Sequence, residues 1–164
     1  MPFLHQTFTD YNLEEFTRFN MIVPFRISKF RSKFLTVCYI LMIFSGFLRV
    51  FTDPGTSAFT YLLIVFAIPL VLVYVSKRQC RKVYNTNPEL QNRHSVMRFY
   101  EDHLQETSNH QSVDIPYSSI AHLVETRTHF YLMTAANQGM IIVKANCSAE
   151  LIQFIRGLKK IIFI

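Results

Sequence analysis

Hydrophobic and polar positions divide the chain sharply. Between Phe34 and Ser76 only Arg49 and Asp53 carry charge, and on either side the sequence has ordinary soluble patterning. Thr56 to Ser76, TSAFTYLLIVFAIPLVLVYVS, is uncharged and has no polar stripe. As a helix these residues reach roughly 31 Å, the thickness of a bilayer's hydrocarbon core, which predicts a transmembrane span over 56–76. Phe34 to Phe51, FLTVCYILMIFSGFLRVF, predicts a shorter first span over 34–51. Arg49 lies near its end, where a long stem carries the guanidinium to the interface or, four residues on, to Asp53. Thr52-Asp53-Pro54-Gly55 has turn chemistry, so the two spans are expected as an antiparallel hairpin over 34–76. Ser45, Gly46, Ala58 and Ala67 are small enough for close approach, and Pro69 is a candidate kink.

After Asn85-Thr86-Asn87-Pro88 the period shortens to that of strands. Val96–Tyr100 and His103–Thr107 flank Glu101-Asp102 as a hairpin. Further strands are expected at Ser112–Ile115, Ile120–Glu125, Phe130–Thr134 and Met140–Lys144, with turns at Arg127-Thr128 and Asn137-Gln138-Gly139. Ser148 is placed to cap a helix whose Leu151, Phe154, Ile155, Leu158 and Ile162 form one stripe, with Lys159 and Lys160 in its last turns. An α+β domain over 94–164, an antiparallel sheet or partial barrel closed by this one amphipathic helix, is the economical packing. Before the spans, an arm of residues 1–33 holds a helix over Tyr11–Val23. Thr9-Asp10 are its expected caps, Leu13, Phe16, Phe19 and Val23 its apolar face, and Pro24 its end or bend. That helix suits either the membrane interface or the soluble domain. Phe25, Ile27 and Phe30, interleaved with Arg26, Lys29 and Arg31, suit the interface. Phe3–Phe8 is a candidate strand added to the C-terminal sheet.

Charge adds an orientation. The formal net charge is +6. All of it belongs to residues 1–93, since 94–164 hold equal numbers of basic and acidic side chains. Arg26, Lys29, Arg31 and Lys33 precede the first span, and Lys77, Arg78, Arg81 and Lys82 follow the second in a basic juxtamembrane linker over 77–93. The turn contributes Arg49 alone. The positive-inside rule then puts both termini in the cytoplasm, and the same eight cations can meet anionic headgroups. A basic excess confined to the membrane flanks argues against nucleic acid, which needs a basic face on the folded domain. Cys38, Cys80 and Cys147 have neither disulfide nor zinc spacing, as expected in a reducing compartment. No signal peptide is expected, because the first apolar run starts only at Phe34.

The C-terminal order Phe99-Tyr100-Glu101-Asp102, Ile115-Pro116-Tyr117-Ser118-Ser119-Ile120, Val124-Glu125-Thr126, Phe130-Tyr131-Leu132 and Ile141-Ile142-Val143-Lys144 before a final helix resembles the bacterial YcxB-like membrane proteins. The layout of arm, helical hairpin, linker and β-rich domain is similar too. The resemblance implies a pleckstrin-homology-like fold for the domain and a bacterial cytoplasmic membrane as its location. It implies no assigned chemistry. The family pattern often has Trp where Tyr117 stands, and a second basic residue where Ala145 follows Lys144.

Little catalytic chemistry is visible. His94, His103, His110, His122 and His129 show no metal-ligand spacing, and no Walker A, nucleophile-elbow or zincin motif is present. Glu101, Asp102 and Asp114 read as turn and surface carboxylates. The expectation is a non-enzyme without cofactor or metal. Among the aromatics Phe99, Tyr100, Tyr117, Phe130 and Tyr131, packing accounts for most, and Tyr117, beside Pro116, is a candidate partner contact. The sequence thus predicts a multi-pass membrane-anchored interaction module that presents its domain to a protein or lipid partner, or to a second copy, at the membrane face. The alternative is a two-span subunit, or regulator, of an oligomeric transporter or channel.

Overall fold

The structure is a computed structural model that describes residues 2–52, 55–91, 93–108, 111–135 and 138–162. Asp53, Pro54, His110 and Asn137, invoked above, lie outside the described residues, as do the side chains of Lys29, Arg31, Lys159, Lys160 and Ile162.

The chain begins with strand β1 (His5–Tyr11) and helix α1 (Leu13–Ile27). Two long helices follow, α2 (Lys29–Thr52) and α3 (Thr56–Thr86). Then come β2 (Arg93–Phe99), β3 (His103–Ser108), β4 (Gln111–Pro116), β5 (His122–Glu125), β6 (His129–Ala135), β7 (Gln138–Val143) and α4 (Ala149–Ile162). Strands β1-β2-β3-β4 form one antiparallel sheet and β5-β6-β7 another. The expected partial barrel is not formed. β1 and β7 run near each other, but no ladder joins the sheets among the described residues. A side-chain bond does part of that work: the Ile141 N–H donates to the Tyr11 hydroxyl at 3.1 Å.

Residues from the N-terminus complete the C-terminal domain. β1 pairs with β2 from His5↔Phe99 to Tyr11↔Arg93, so the arm contributes an edge strand. Thr9 and Asp10, expected as helix caps, are strand residues instead. The cap is Asn12, whose Oδ1 accepts from Glu15 N–H at 2.9 Å. The candidate strand at Phe3–Phe8 is present from His5, and pairing with β2 extends it through 9–11, where Thr, Asp and Asn all cap well and the local signal was ambiguous. Of the two expectations for Pro24, an end or a bend, the end is not observed. α1 continues to Ile27, and the Ser28 N–H bonds the Pro24 carbonyl at 3.1 Å.

The two faces of β5-β6-β7 explain the packing. Phe130, Leu132, Met140 and Ile142 face a core shared with Met97, Phe99, Leu104 and the α4 residues Leu151, Ile155 and Leu158. Val124, Tyr131, Met133 and Ile141 face the other way, onto Tyr11 and the α1 residues Phe19, Ile22 and Val23. Strand β6 is therefore buried on both faces, which is why its stretch Phe130-Tyr131-Leu132-Met133 is continuously apolar rather than alternating. Helix α1 docks on the folded domain. Of the two placements compatible with its amphipathic pattern, this is the one observed.

α2 and α3 pack as a hairpin. Gly46 is buried against α3: a Cβ there would lie 2.5 Å from Leu62 Cδ2 and 3.0 Å from the Tyr61 ring. Ala58 and Val65 are buried in the same contact, and Tyr39 donates to the Val65 carbonyl at 3.2 Å. Ser45 meets Tyr61 at 3.1 Å. The Arg49 guanidinium lies over the Tyr61 ring, 5.6 Å from its centroid.

Candidate functional site

The segment read as a linker after Ser76 is helix. Nothing between Lys77 and Thr86 breaks it, and Lys, Arg and Gln are good helix formers. Asn87-Pro88 ends it: the Asn87 N–H bonds the Val83 carbonyl and the Asn87 side chain caps the next turn at Glu89. The far end is fixed in the domain. Tyr84 is buried, donates to the Tyr11 carbonyl at 3.4 Å and packs its ring 6.0 Å from that of Phe16. Gln91 Nε2 donates to the carbonyls of Tyr84 and Asn85 at 3.1 and 3.0 Å. The basic residues after the apolar run are thus carried on a continuous helix between hairpin and domain.

Alongside, α1 leaves an open groove of about 880 Å³, lined by Leu13, Glu14, Thr17, Arg18 and Met21 from α1 and by Tyr74, Lys77, Arg78 and Arg81 from α3. On α3 these are positions i, i+3, i+4 and i+7, one helical face. Arg18 is paired with Glu14 at 2.7 Å, an i,i+4 bridge. Lys77, Arg78 and Arg81 are exposed and have no acidic partner among the described residues. Of the eight collar cations expected at a membrane surface, the groove gathers these three. Arg26, Lys33 and Lys82 are exposed but do not line it. Arg18 and Tyr74 were not singled out from sequence. The i+4 and i+7 relation of Tyr74 to Arg78 and Arg81 was the available signal, and treating 77 onward as linker hid it.

What holds α1 in place is a buried ionisable cluster. His129 on β6 is 2% exposed, with Nε2 2.8 Å from Glu15 Oε2. The Thr128 hydroxyl at 2.7 Å and the Arg18 guanidinium at 3.5 Å face Nδ1, whereas Nε2 and Glu15 Oε2 lie close together without forming a hydrogen bond. Burial lowers the His129 pKa below its ordinary value. The carboxylate of Glu15 opposes that shift, and the charges of Arg18 and Lys144 add to it. Since the folded value lies below the unfolded one, the unfolded chain binds more protons between the two. Stability is complete above about pH 6.5 and falls as the pH drops below it. The melting temperature should therefore decrease from about pH 7.5 to about pH 5.5, and His129→Gln should flatten that slope. A slope unchanged by the substitution would assign it to other groups.

A second cluster staples α4. Glu125 accepts from Lys144 Nζ at 2.7 Å and from Arg156 at 2.8 Å. Burial works against its ionisation, but these hydrogen bonds and charges outweigh it and keep the carboxyl below its ordinary range. Lys144 also donates to the Thr126 carbonyl at 2.6 Å and lies 4.4 Å from the centroid of the Phe130 ring.

Tyr117, read as a partner contact, is turned inward. It is 8% exposed, its hydroxyl donates to the Tyr100 carbonyl at 2.7 Å, and its ring meets Phe154 edge-on. Placement in the turn after Pro116 made it look accessible, but the turn folds its ring under α4. The histidines are dispersed: His94 pairs with Asp10, His103 with Asp102, and His129 with Glu15. Among the described residues no three His, Cys, Asp or Glu side chains are placed to hold a metal ion. Asp114 accepts from Gln105 at 2.9 Å across the β3–β4 pair, whereas Glu101 and Asp102 occupy the turn between β2 and β3. These carboxylates do not converge on one cavity.

Architecture and site together define an α+β module closed by a C-terminal helix and joined by a continuous helix to an apolar helical hairpin. Residues 99–158, from the end of β2 into α4, match the model of the YcxB-like protein family. Over that stretch the chain is similar to the YcxB-like proteins, in agreement with the resemblance carried by the residues from Phe99 to Lys144. Comparison with curated proteins gives no match, and neither does comparison with solved structures.

Proposed function

We propose that the chain is a membrane-anchored interaction module: the hairpin spans the bilayer, and the domain, of pleckstrin-homology-like type, is held against the cytoplasmic face to engage a protein partner or a second copy. One observation carries this reading. Helices spanning Ser32–Thr52 and Thr56–Thr86 are long and apolar enough to cross a membrane, and only 6% and 11% of their most apolar windows are buried within the protein. A core helix of a water-soluble protein would be mostly covered. Here Phe44, Phe51, Leu63, Leu70 and Leu72 all face outward. That extent of exposed apolar surface is not sustained in water, and hydrocarbon is the covering that matches its length.

Orientation follows from charge. The hairpin's open end carries the collar cations and the domain, and its closed end carries Arg49, so the positive-inside rule places the domain in the cytoplasm of a bacterial cell. Alkaline carbonate washing of isolated membranes tests the anchor. The chain should stay in the pellet and be released only by detergent. Release by carbonate would make the hairpin a peripheral or protein-covered element.

A further inference from the structure

We propose that the groove between α1 and α3 is a binding site for one anionic phospholipid, with its phosphate held by Lys77, Arg78 and Arg81 and its glycerol and first methylenes against Met21 and Tyr74. The proposal rests on the membrane-anchored reading and goes beyond it by naming a ligand and a site. It also concerns a part of the chain outside the residues matched by the family model.

Position comes first. The uncharged stretch of α3 ends at Ser76, and cations begin at Lys77. The four lining residues from Tyr74 to Arg81 cover about 10 Å of helix, comparable to the polar zone on one side of a bilayer. Because α1 leads into the hairpin and α3 leads out of it, Met21 and Tyr74 are the lining residues nearest the apolar spans. The apolar end of the groove therefore faces the hydrocarbon, and the cationic end faces the headgroups.

Charge decides the class of lipid. Among the described residues Glu14 is the one acidic residue that lines the groove, and it is already bridged to Arg18. Lys77, Arg78 and Arg81 are left uncompensated, an arrangement suited to a phosphate without an attached cation. A volume of about 880 Å³ lies within the range of small-ligand sites, about 300–1,000 Å³. The walls are fixed independently of any ligand, α1 by Val23 and the His129–Glu15 pair, α3 by Tyr84. A pre-formed wall distinguishes a site from diffuse attraction to a collar.

The full chain, purified in neutral detergent micelles and titrated with dioleoylphosphatidylglycerol, tests this by native mass spectrometry. One lipid per chain should be retained, about tenfold more tightly than dioleoylphosphatidylcholine. Arg78→Gln combined with Arg81→Gln should abolish that preference. Lys33→Gln combined with Lys82→Gln removes as many charges outside the groove and should preserve it. Met21→Trp and, separately, Thr17→Leu fill the groove without removing charge, and each should lose the retained lipid while melting like the parent. Equal retention of the two lipids, retention in both filled variants, or displacement by millimolar inorganic phosphate would overturn the proposal, the last by making it a site for soluble anions. A chain that resists carbonate but retains no lipid contradicts the groove alone. One that retains lipid but is released by carbonate contradicts the anchor alone.

Discussion

Leu158→Asp is expected to lower the stability of the domain by about 4 kcal/mol, enough to unfold it or strip α4 from the sheets. Leu158 is 5% exposed, in the same core as Leu151, Ile155, Phe130 and Ile142. Losing the leucine forfeits roughly 2–3 kcal/mol of burial, and the unpaired carboxylate adds its desolvation cost. Among the described residues no cation belongs to that core, and Lys144 and Arg156 are both committed to Glu125. Gln153→Asp is the matched control, since Gln153 is exposed on the opposite face of α4, and should change stability by less than about 0.5 kcal/mol. Denaturant melts of the full chain in detergent, followed by near-ultraviolet circular dichroism, distinguish the two. Equal effects would mean that the stripe is not the buried face.

The second large effect concerns the N-terminal residues. A fragment beginning at Asn85 should fail to form a monomeric native domain, although it contains every strand from β2 to β7 and all of α4. Without α1 it exposes Val124, Tyr131, Met133 and Ile141, and without β1 it exposes the open edge of β2. Tyr131, Met133 and Ile141 are at most 1% exposed in the full chain, and each contributes roughly 2 kcal/mol by burial. Their loss exceeds what a small domain can spare. The fragment should bind hydrophobic dyes and elute as an aggregate. A sharp, cooperative melt from a monomeric fragment would show that α1 is an accessory to the domain instead of one of its layers.

Several features were legible before the fold was known because they are local. The two long apolar helices follow from uncharged length, the β2–β3 hairpin from alternation around Glu101-Asp102, and the α4 stripe from its period, with Ser148 Oγ accepting from Leu151 N–H at 3.1 Å. What was missed depends on distant partners. The candidate strand at Phe3–Phe8 continues through the two residues expected as caps to Tyr11 because β2, more than eighty positions on, pairs with it. The continuous apolar run of β6 signals burial on both faces, but its second covering layer comes from the other side of the hairpin in sequence. Charge also conceals helix: α3 continues past Ser76 because the backbone has no reason to stop, while the apolar signal ends there. The groove inherits that blindness. Three of its cations were visible as a collar, but their convergence with Arg18 and Met21 depends on the docking of α1.

The central claim is that the hairpin crosses a bilayer with the domain on the cytoplasmic side, and cysteine labelling in intact cells tests it most directly. Cys38, Cys80 and Cys147 are first replaced by serine, and single cysteines are then introduced as Gly55→Cys in the hairpin turn and Asn87→Cys at the end of α3. The account predicts that a membrane-impermeant maleimide labels the Gly55→Cys variant in intact cells and the Asn87→Cys variant only after permeabilisation. Labelling of both variants only after permeabilisation, or of Asn87→Cys alone in intact cells, would contradict it.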